Sequence, residues 1–247
     1  EAGIVRDGFS FQAGAGGTAL SFALFLRDMM RERNIKARFV RGGSTQYLVD
    51  MLEEGLTDYI LDGQTFDLEG VRSMRENAGH VNTSPFTSYN WHGKGNFASM
   101  LDAVVLGATE VDVDFNANVV THSDGRLLHG IGGWMNCLAS KCTILPIPSF
   151  RDRIPVLVDK VTTLCGPGEL IDVIVTERGI AINPLRRDLV DKLRDSSLPI
   201  RDIREIKAEV EEIVGGAPAA PDLGDKVVAA IKWVDGTVID CVREVRG

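Results

Sequence analysis

Apolar and polar residues alternate in short runs along the first third of the chain, and glycines mark where one kind of periodicity gives way to another. Residues 9–12 alternate with period two, Gly14, Gly16 and Gly17 follow, and Phe22, Phe25, Leu26, Met29 and Met30 then recur at helical spacing. The pattern predicts a strand, a glycine loop and a helix. It repeats at residues 37–40, at Gly42 and Gly43, and in an amphipathic stretch with Leu48, Met51 and Leu52 turned inward, which Gly55 closes as a C-terminal cap. A third strand begins at residues 59–61. Further on, "LDAVVLGATEV", "CTILPIP" and "IDVIVTERGIAI" are β-branched and apolar on both faces, as in strands covered by helices. The expected fold is α/β, a mostly parallel sheet flanked by helices.

Later, "LRRDLVDKLRDS" and "IRDIREIKAEVEEIVG" have the period of surface helices. Residues 215–224, "GGAPAAPDLG", read as a linker, poor in large apolar side chains and punctuated by Pro218 and Pro221. Beyond it, residues 225–247 read as a C-terminal β-hairpin about Asp235 and Gly236, a pair that tolerates the positive φ of a tight turn. Residues 1–214 are expected to form the α/β domain.

A formal charge of −8 opposes broad binding to a phosphate polymer, so nucleic acid is not an expected partner. No apolar run is long enough for a membrane span. Cys137, Cys142, Cys165 and Cys241 form no CxxC pair and have no histidine at a ligand spacing, which leaves buried, reduced thiols, no metal centre and a cytoplasmic location as the expectation. "EAGIVRDGFSF" at the start has the texture of mid-chain sequence, so a fragment of a longer protein is expected.

Candidate chemistry concentrates at three glycine loops: "AGAGG" at residues 13–17, "RGGS" at 41–44 and "HGIGG" at 129–133. Loops at the carboxyl ends of parallel strands are where ligands bind, and glycine lets them approach the main chain. For a single loop, tight-turn geometry is an equally good account; three together favour a site. None follows the dinucleotide spacing G-x-G-x-x-G, and no P-loop lysine follows. "HSDG" at 122–125 reads as a turn, and no G-x-S-x-G elbow frames a serine nucleophile. In "EVDVDFNANV" the carboxylates Glu110, Asp112 and Asp114 could hold a hard cation but suit a solvated face better, whereas the neutral amides of Asn116 and Asn118 could bond a carboxylate or thioester oxygen.

The succession "FSFQAGAGGTALSFALFLRDMM", "ARFVRGGSTQYLVDMLEEGL", "VVLGATEVDVDFNANVVTHSDG", "GIGGWMNCLAS" and "PVLVDKVTTLCGPGELIDVIVTERGIAINPLR", continuing into "DKVVAAIKWVDGTVIDCV", resembles the second half of the citrate lyase alpha subunit family. The resemblance implies a coenzyme A transferase-like fold in which two related α/β domains share an active site, so that an N-terminal domain is missing here. It implies exchange of acetyl for citryl on an acyl carrier protein, whose coenzyme-A-derived prosthetic group means that no cofactor need be bound permanently. A citryl lyase beta subunit would then cleave the citryl thioester.

Many coenzyme A transferases place a nucleophilic glutamate where Gly42 and Gly43 stand. The resemblance therefore implies that the acceptor carboxylate itself attacks the acetyl thioester. On this reading Gly42, Gly43 and Ser44 leave room for the acid, Asn116 positions an acyl oxygen, Gly130, Gly132 and Gly133 supply an oxyanion and pantetheine site, and Gly14, Gly16 and Gly17 assist with the arm. Arg41 or Arg126 would pair with a substrate carboxylate. Asn136 stands where relatives carry aspartate, which keeps citramalate or another dicarboxylate open as acceptor. Two other readings are a related transferase or hydrolase acting on free coenzyme A, and a non-catalytic assembly module.

Overall fold

The computed structural model describes residues 1–14, 16–92 and 96–246, so Ala15 of the first glycine loop lies outside the described residues. The chain forms two compact units, one of residues 1–107 with 139–143, the other of residues 108–138 with 144–247.

The first unit is built from β1 (Ser10–Ala13), α1 (Gly17–Arg33), β2 (Phe39–Ser44), α2 (Gln46–Glu53), β3 (Ile60–Thr65), α3 (Leu68–Glu76), β4 (His80–Asn82), α4 (Pro85–Tyr89) and β5 (Ala103–Val105). Its strands run in the order β5-β1-β2-β3-β4, and every neighbouring pair is parallel. The sheet is buried because Phe9, Phe11, Val40 and Ile60 pack with Leu26, Met30, Leu48 and Met51 of α1 and α2. On α1 the buried positions are Ala19, Ala23, Leu26 and Met30. Phe25, expected in this stripe, is 72% exposed. At 100° per residue it lies about 130° round the helix from the stripe's centre, while Phe22 and Met29 flank the edge. The cap at Gly55 is as expected: its φ is 74°, its N–H donates to Leu52 O, and Leu56 N–H donates to Met51 O.

In the second unit β6 (Glu110–Asp112) pairs antiparallel with β7 (Ala117–Asn118). The short helix α5 (Trp134–Cys137) follows the third glycine loop. Further elements are β8 (Thr143–Pro146), a small hairpin of β9 (Phe150–Arg151) and β10 (Ile154–Pro155), and β11 (Leu157–Val158), which runs parallel to β6. β12 (Val173–Thr176) runs parallel to β8, but β13 (Gly179–Ile182) turns back antiparallel after Glu177 and Arg178. The helices α6 (Arg187–Lys192) and α7 (Ile203–Val214) follow, α7 capped at its start by the Asp202 carboxylate and at its end by Gly215, φ 96°. The terminal hairpin, β14 (Leu223–Lys232) and β15 (Val238–Val245), turns at Asp235 and Gly236 as the sequence predicts. The "HSDG" segment is a turn, with Gly125 N–H donating to His122 O, and it seats the hairpin: a methyl group on Gly125 would meet Leu223 at 2.8 Å.

Candidate functional site

Parallel pairing lines up the ends of the first unit's strands. Val105, Ala13, Gly42, Asp62 and Asn82 stand in register across the sheet, so the loops after β1, β2 and β3 leave from one edge. Gly14, Arg41, Gly42, Gly43 and Ser44 are brought together there. Gly16 and Gly17 open α1, exposed and without a side-chain cap.

The paired glycines have a structural cause. Gly42 has φ 120°, and a Cβ on it would lie 2.3 Å from the carbonyl oxygen of Ala13. A bulge between Gly42 and Gly43 turns the next residue under the ring of Phe66, 1.8 Å from where a Cβ would stand. The space expected to admit a substrate carboxylate is thus filled by the protein's own carbonyl and ring. β3 carries a glycine near the same edge, Gly63, and its surroundings are close as well. A Cβ on Gly63 would sit 3.3 Å from Arg41 Nη2 and 3.5 Å from the Tyr89 hydroxyl, and outside the flanking chain no other described atom lies within 4 Å.

Arg41 is fully buried. Its Nη1 donates to Ser88 O at 3.3 Å and its guanidinium carbon lies 4.8 Å from the centre of the Tyr89 ring. Nε and Nη2 have no hydrogen-bond partner among the described residues. Beside it, buried Asp62 accepts from Gln64 N–H and the Thr65 hydroxyl, with His80 Nε2 3.6 Å away. Burial pushes this carboxyl up, yet the nearby His80 ring and the hydrogen bonds from Thr65 and Gln64 outweigh it and hold it below the ordinary aspartate range. His80 Nδ1 lies 2.9 Å from the Ser73 hydroxyl; all three side chains are buried, so the Ser73, His80, Asp62 series is not open to substrate.

The remaining candidates belong to the second unit. Glu110 and Asp112 are buried, not solvated. Glu110 accepts from Asn118 Nδ2, Thr162 N–H and the Thr162 hydroxyl; Asp112 accepts from the N–H groups of Asp114 and Asn116 and from Asn116 Nδ2. Asn116 Oδ1 in turn accepts from Gly168 N–H, so this amide clamps a loop instead of presenting itself to an acyl oxygen. Among the described residues no cluster of His, Cys, Asp or Glu could hold a metal. Gly130 and Gly132 are exposed with open space where a Cβ would be, and Gly132 has φ 60°. Arg126 is exposed, 3.7 Å from Asp124, and lines a cleft of about 690 Å³ with His122, Arg151 and Leu128. Burial pushes Cys165 up to about 11, which makes it a poor nucleophile.

Residues 1–245 match the family described as citrate lyase, alpha subunit. The chain belongs to the citrate lyase alpha subunit family. It is 41% identical over 245 residues to the citrate lyase alpha chain of Klebsiella pneumoniae and 40% identical to that of Escherichia coli, in each case over 99% of this chain and 48% of the relative. The chain therefore spans about half the length of the curated relatives it matches. A crystal structure of the putative alpha subunit of citrate lyase from Streptococcus mutans, in complex with citrate, superposes with a TM-score of 0.96 at 42% identity, over 99% of this chain and 48% of that one.

In this citrate lyase alpha subunit relative, Gly63 and Tyr89 are neighbours of Arg41 that the sequence reading did not select. The signal for Gly63 was present in "LDGQT", a glycine at the end of the third strand just as Gly14 and Gly42 follow the first two. Tyr89 had no local signal, because α4 reaches the strand ends only through the fold.

Proposed function

We propose that the chain is the C-terminal half of a cytoplasmic acyl-transfer subunit of citrate lyase, exchanging acetyl for citryl on the thioester of an acyl carrier protein. What carries this reading is the family match over nearly the whole chain. The strand-end edge supports direct attack by the substrate: the end of β2 holds glycines and no carboxylate, and Asp62, the carboxylate beside them, is buried with its oxygens already accepting hydrogen bonds.

The citrate carboxylate attacks the acetyl carbonyl. A C–O bond forms, the C–S bond breaks, and a mixed anhydride and the carrier thiolate result. The thiolate then attacks the citryl carbonyl, forming the new C–S bond as the anhydride C–O bond breaks and acetate leaves. Main-chain N–H groups of the loop holding Gly130, Gly132 and Gly133 supply oxyanion donors, each worth about 100-fold or more in rate. Gly14, Gly16 and Gly17 border the arm, Ser44 and Arg41 stand on the acid's side, and Arg126 is the cation offered to the arm's anionic part. No cofactor is held permanently. The partners are the carrier protein, the beta subunit and the N-terminal half of the subunit.

The test is to supply that half and incubate acetyl-carrier with citrate, citramalate or malate under borohydride. Citryl-carrier and acetate should form, and no reduced protein carboxyl should be trapped. A reducible glutamyl adduct would overturn direct attack. Full activity of a complex lacking this chain would make it an assembly module.

A further inference from the structure

We propose that the cleft between the 120–128 segment and the β9–β10 hairpin is a subsite for the phosphorylated stretch of a coenzyme-A-type arm, tethered to a carrier or free, with Arg126 and Arg151 taking its phosphate charge and Leu128, Ile154 and Pro155 its apolar portion. The arm's role rests on the acyl-transfer reading; the cleft stands on its own geometry.

Two short antiparallel ladders make the walls. In the first, His122 N–H donates to Arg126 O and Leu128 N–H to Val120 O, with Thr121 opposite Leu127. Side chains alternate along such a ladder, so His122, Arg126 and Leu128 fall on one side, and all three line the cleft. The second wall is the pair β9 and β10, in which Arg151 stands opposite Ile154. Its connecting residues, Asp152 and Arg153, have φ of 47° and 67°, the positive values of a tight turn whose twist suits a hairpin. Between the walls lies about 690 Å³, within the range of about 300–1,000 Å³ usual for small-molecule sites.

The cationic charge in this cleft is poorly compensated. Arg151 Nη1 donates to Thr109 O at 3.2 Å and Nη2 to Ala108 O at 2.9 Å, bonds that fix the guanidinium without neutralising it. Burial pulls its proton affinity down, and no described carboxylate pulls it back. The residue is nonetheless exposed on the cleft side, so an anion can reach a cation that has lost part of its water. Arg126 is exposed as well. Asp124 beside it spends Oδ1 on Arg126 N–H at 3.0 Å, and its other oxygen is 3.7 Å from Nη1, beyond hydrogen-bond distance. So exposed an ion pair holds its partners weakly, which leaves Arg126 free to turn to a phosphate. Asp152, at the tip of the second hairpin, is the lining carboxylate that opposes the anion.

A lone anion would leave the exposed side chains of Leu128 and Ile154 in water. An arm that carries both phosphate and carbon chain covers them while it meets the arginines. Leu128 also leads directly into residues 129–133, the glycine loop proposed for the arm's reacting end, so one extended arm lies along both.

Calorimetric titration of coenzyme A into the chain tests this, with pantetheine as the probe without phosphate and inorganic phosphate as the probe without the arm. Coenzyme A should bind, and each probe about 10-fold more weakly. Arg126→Ala and Leu128→Glu should each weaken coenzyme A about 10-fold with circular dichroism unchanged, while Asp152→Asn, which keeps a residue tolerant of positive φ, should tighten it about twofold. Absence of coenzyme A binding, pantetheine binding as tightly as coenzyme A, or folded Arg126→Ala and Leu128→Glu binding like the unaltered chain overturns the proposal. Displacement of coenzyme A by acetyl-carrier assigns the cleft to the tethered arm; binding that the carrier does not displace assigns it to the free one. In the completed enzyme Arg126→Ala should raise KM for the thioester with little change in kcat. Transfer with an unchanged KM sinks the subsite and spares the acyl-transfer function; Arg126-dependent coenzyme A binding without any transfer does the reverse.

Discussion

Buried charge is treated in opposite ways in the two units. In the second, Glu110 and Asp112 lie inside the protein with amides, a hydroxyl and main-chain N–H groups gathered round their oxygens. In the first, Arg41 is as deeply buried, yet two of its nitrogens have no described partner. A saturated buried ion is scaffold, because its bonds hold loops in place; an unsaturated one has donors that the described residues leave unused. The sequence does not separate these cases, since its alternating carboxylates read best as a solvated face and Arg41 enters only as one of two arginines that the resemblance offers to a substrate carboxylate.

The largest effect should come from the saturated side. Asp112→Ala leaves the N–H groups of Asp114 and Asn116 and the Asn116 amide without their acceptor, in a partly buried loop. Bonds to a charged group are worth about 1.5–3 kcal/mol each, not additively, so urea unfolding should show a loss of about 3–5 kcal/mol. A loss below about 1 kcal/mol would mean that the network is not what orders this loop.

Next in size is a comparison within the glycine pair. Gly42→Ala sets a methyl group against the Ala13 carbonyl at positive φ, where both contact and backbone are fixed, and should cost roughly 3 kcal/mol. Gly43→Ala meets only the Phe66 ring, half exposed and able to swing away, and should cost less, about 1 kcal/mol. Adding Phe66→Ala should recover the Gly43 loss and leave the Gly42 loss untouched. Equal losses at the two positions would show that the ring is as immovable as the main chain.

Arg41 should behave unlike Asp112. Arg41→Leu removes a buried cation that has no described ion-pair partner, exchanging one hydrogen bond and a ring contact for apolar packing. Thermal unfolding should place the variant between unchanged and about 1 kcal/mol more stable. Clear destabilisation would assign Arg41 to the scaffold and erase the contrast.

Periodicity made β1, β2, β3 and β5 of the first unit's parallel sheet, the cap at Gly55, the α7 helix and the turn at Asp235 and Gly236 legible, because each depends on neighbours in sequence, whereas the three-residue β4 is too short to show a period. What it missed depends on contacts between distant segments. The reasons for Gly42 and Gly43 lie in Ala13 and Phe66, and the surroundings of Arg41 come from Ser88 and Tyr89, nearly fifty residues away. Asn116 was selected for its chemistry, but its partner Gly168 lies 52 residues downstream. Phe25 was assigned to the core by hydrophobicity, although its angle on α1 turns it outward.

The smallest effect is a pH dependence that asks whether the saturated kind of buried ion also stands beside the unsaturated one. Asp62 stands beside Gly63, the close neighbour of Arg41, and Gln64 N–H, the Thr65 hydroxyl and His80 face it. Its folded pKa is depressed below the ordinary aspartate value of 3.8, so the unfolded chain takes up the proton first as pH falls. The stabilisation is therefore fully present above pH 3.8 and is lost as pH drops through the lower folded value. Asp62→Asn should lower stability at pH 6 and flatten the decline below about pH 4, leaving the two proteins closer at pH 3 than at pH 6. A constant difference between them from pH 6 to pH 3 would mean that Asp62 acts through shape and not charge, and that the only electrostatic preparation at this strand edge is the guanidinium itself.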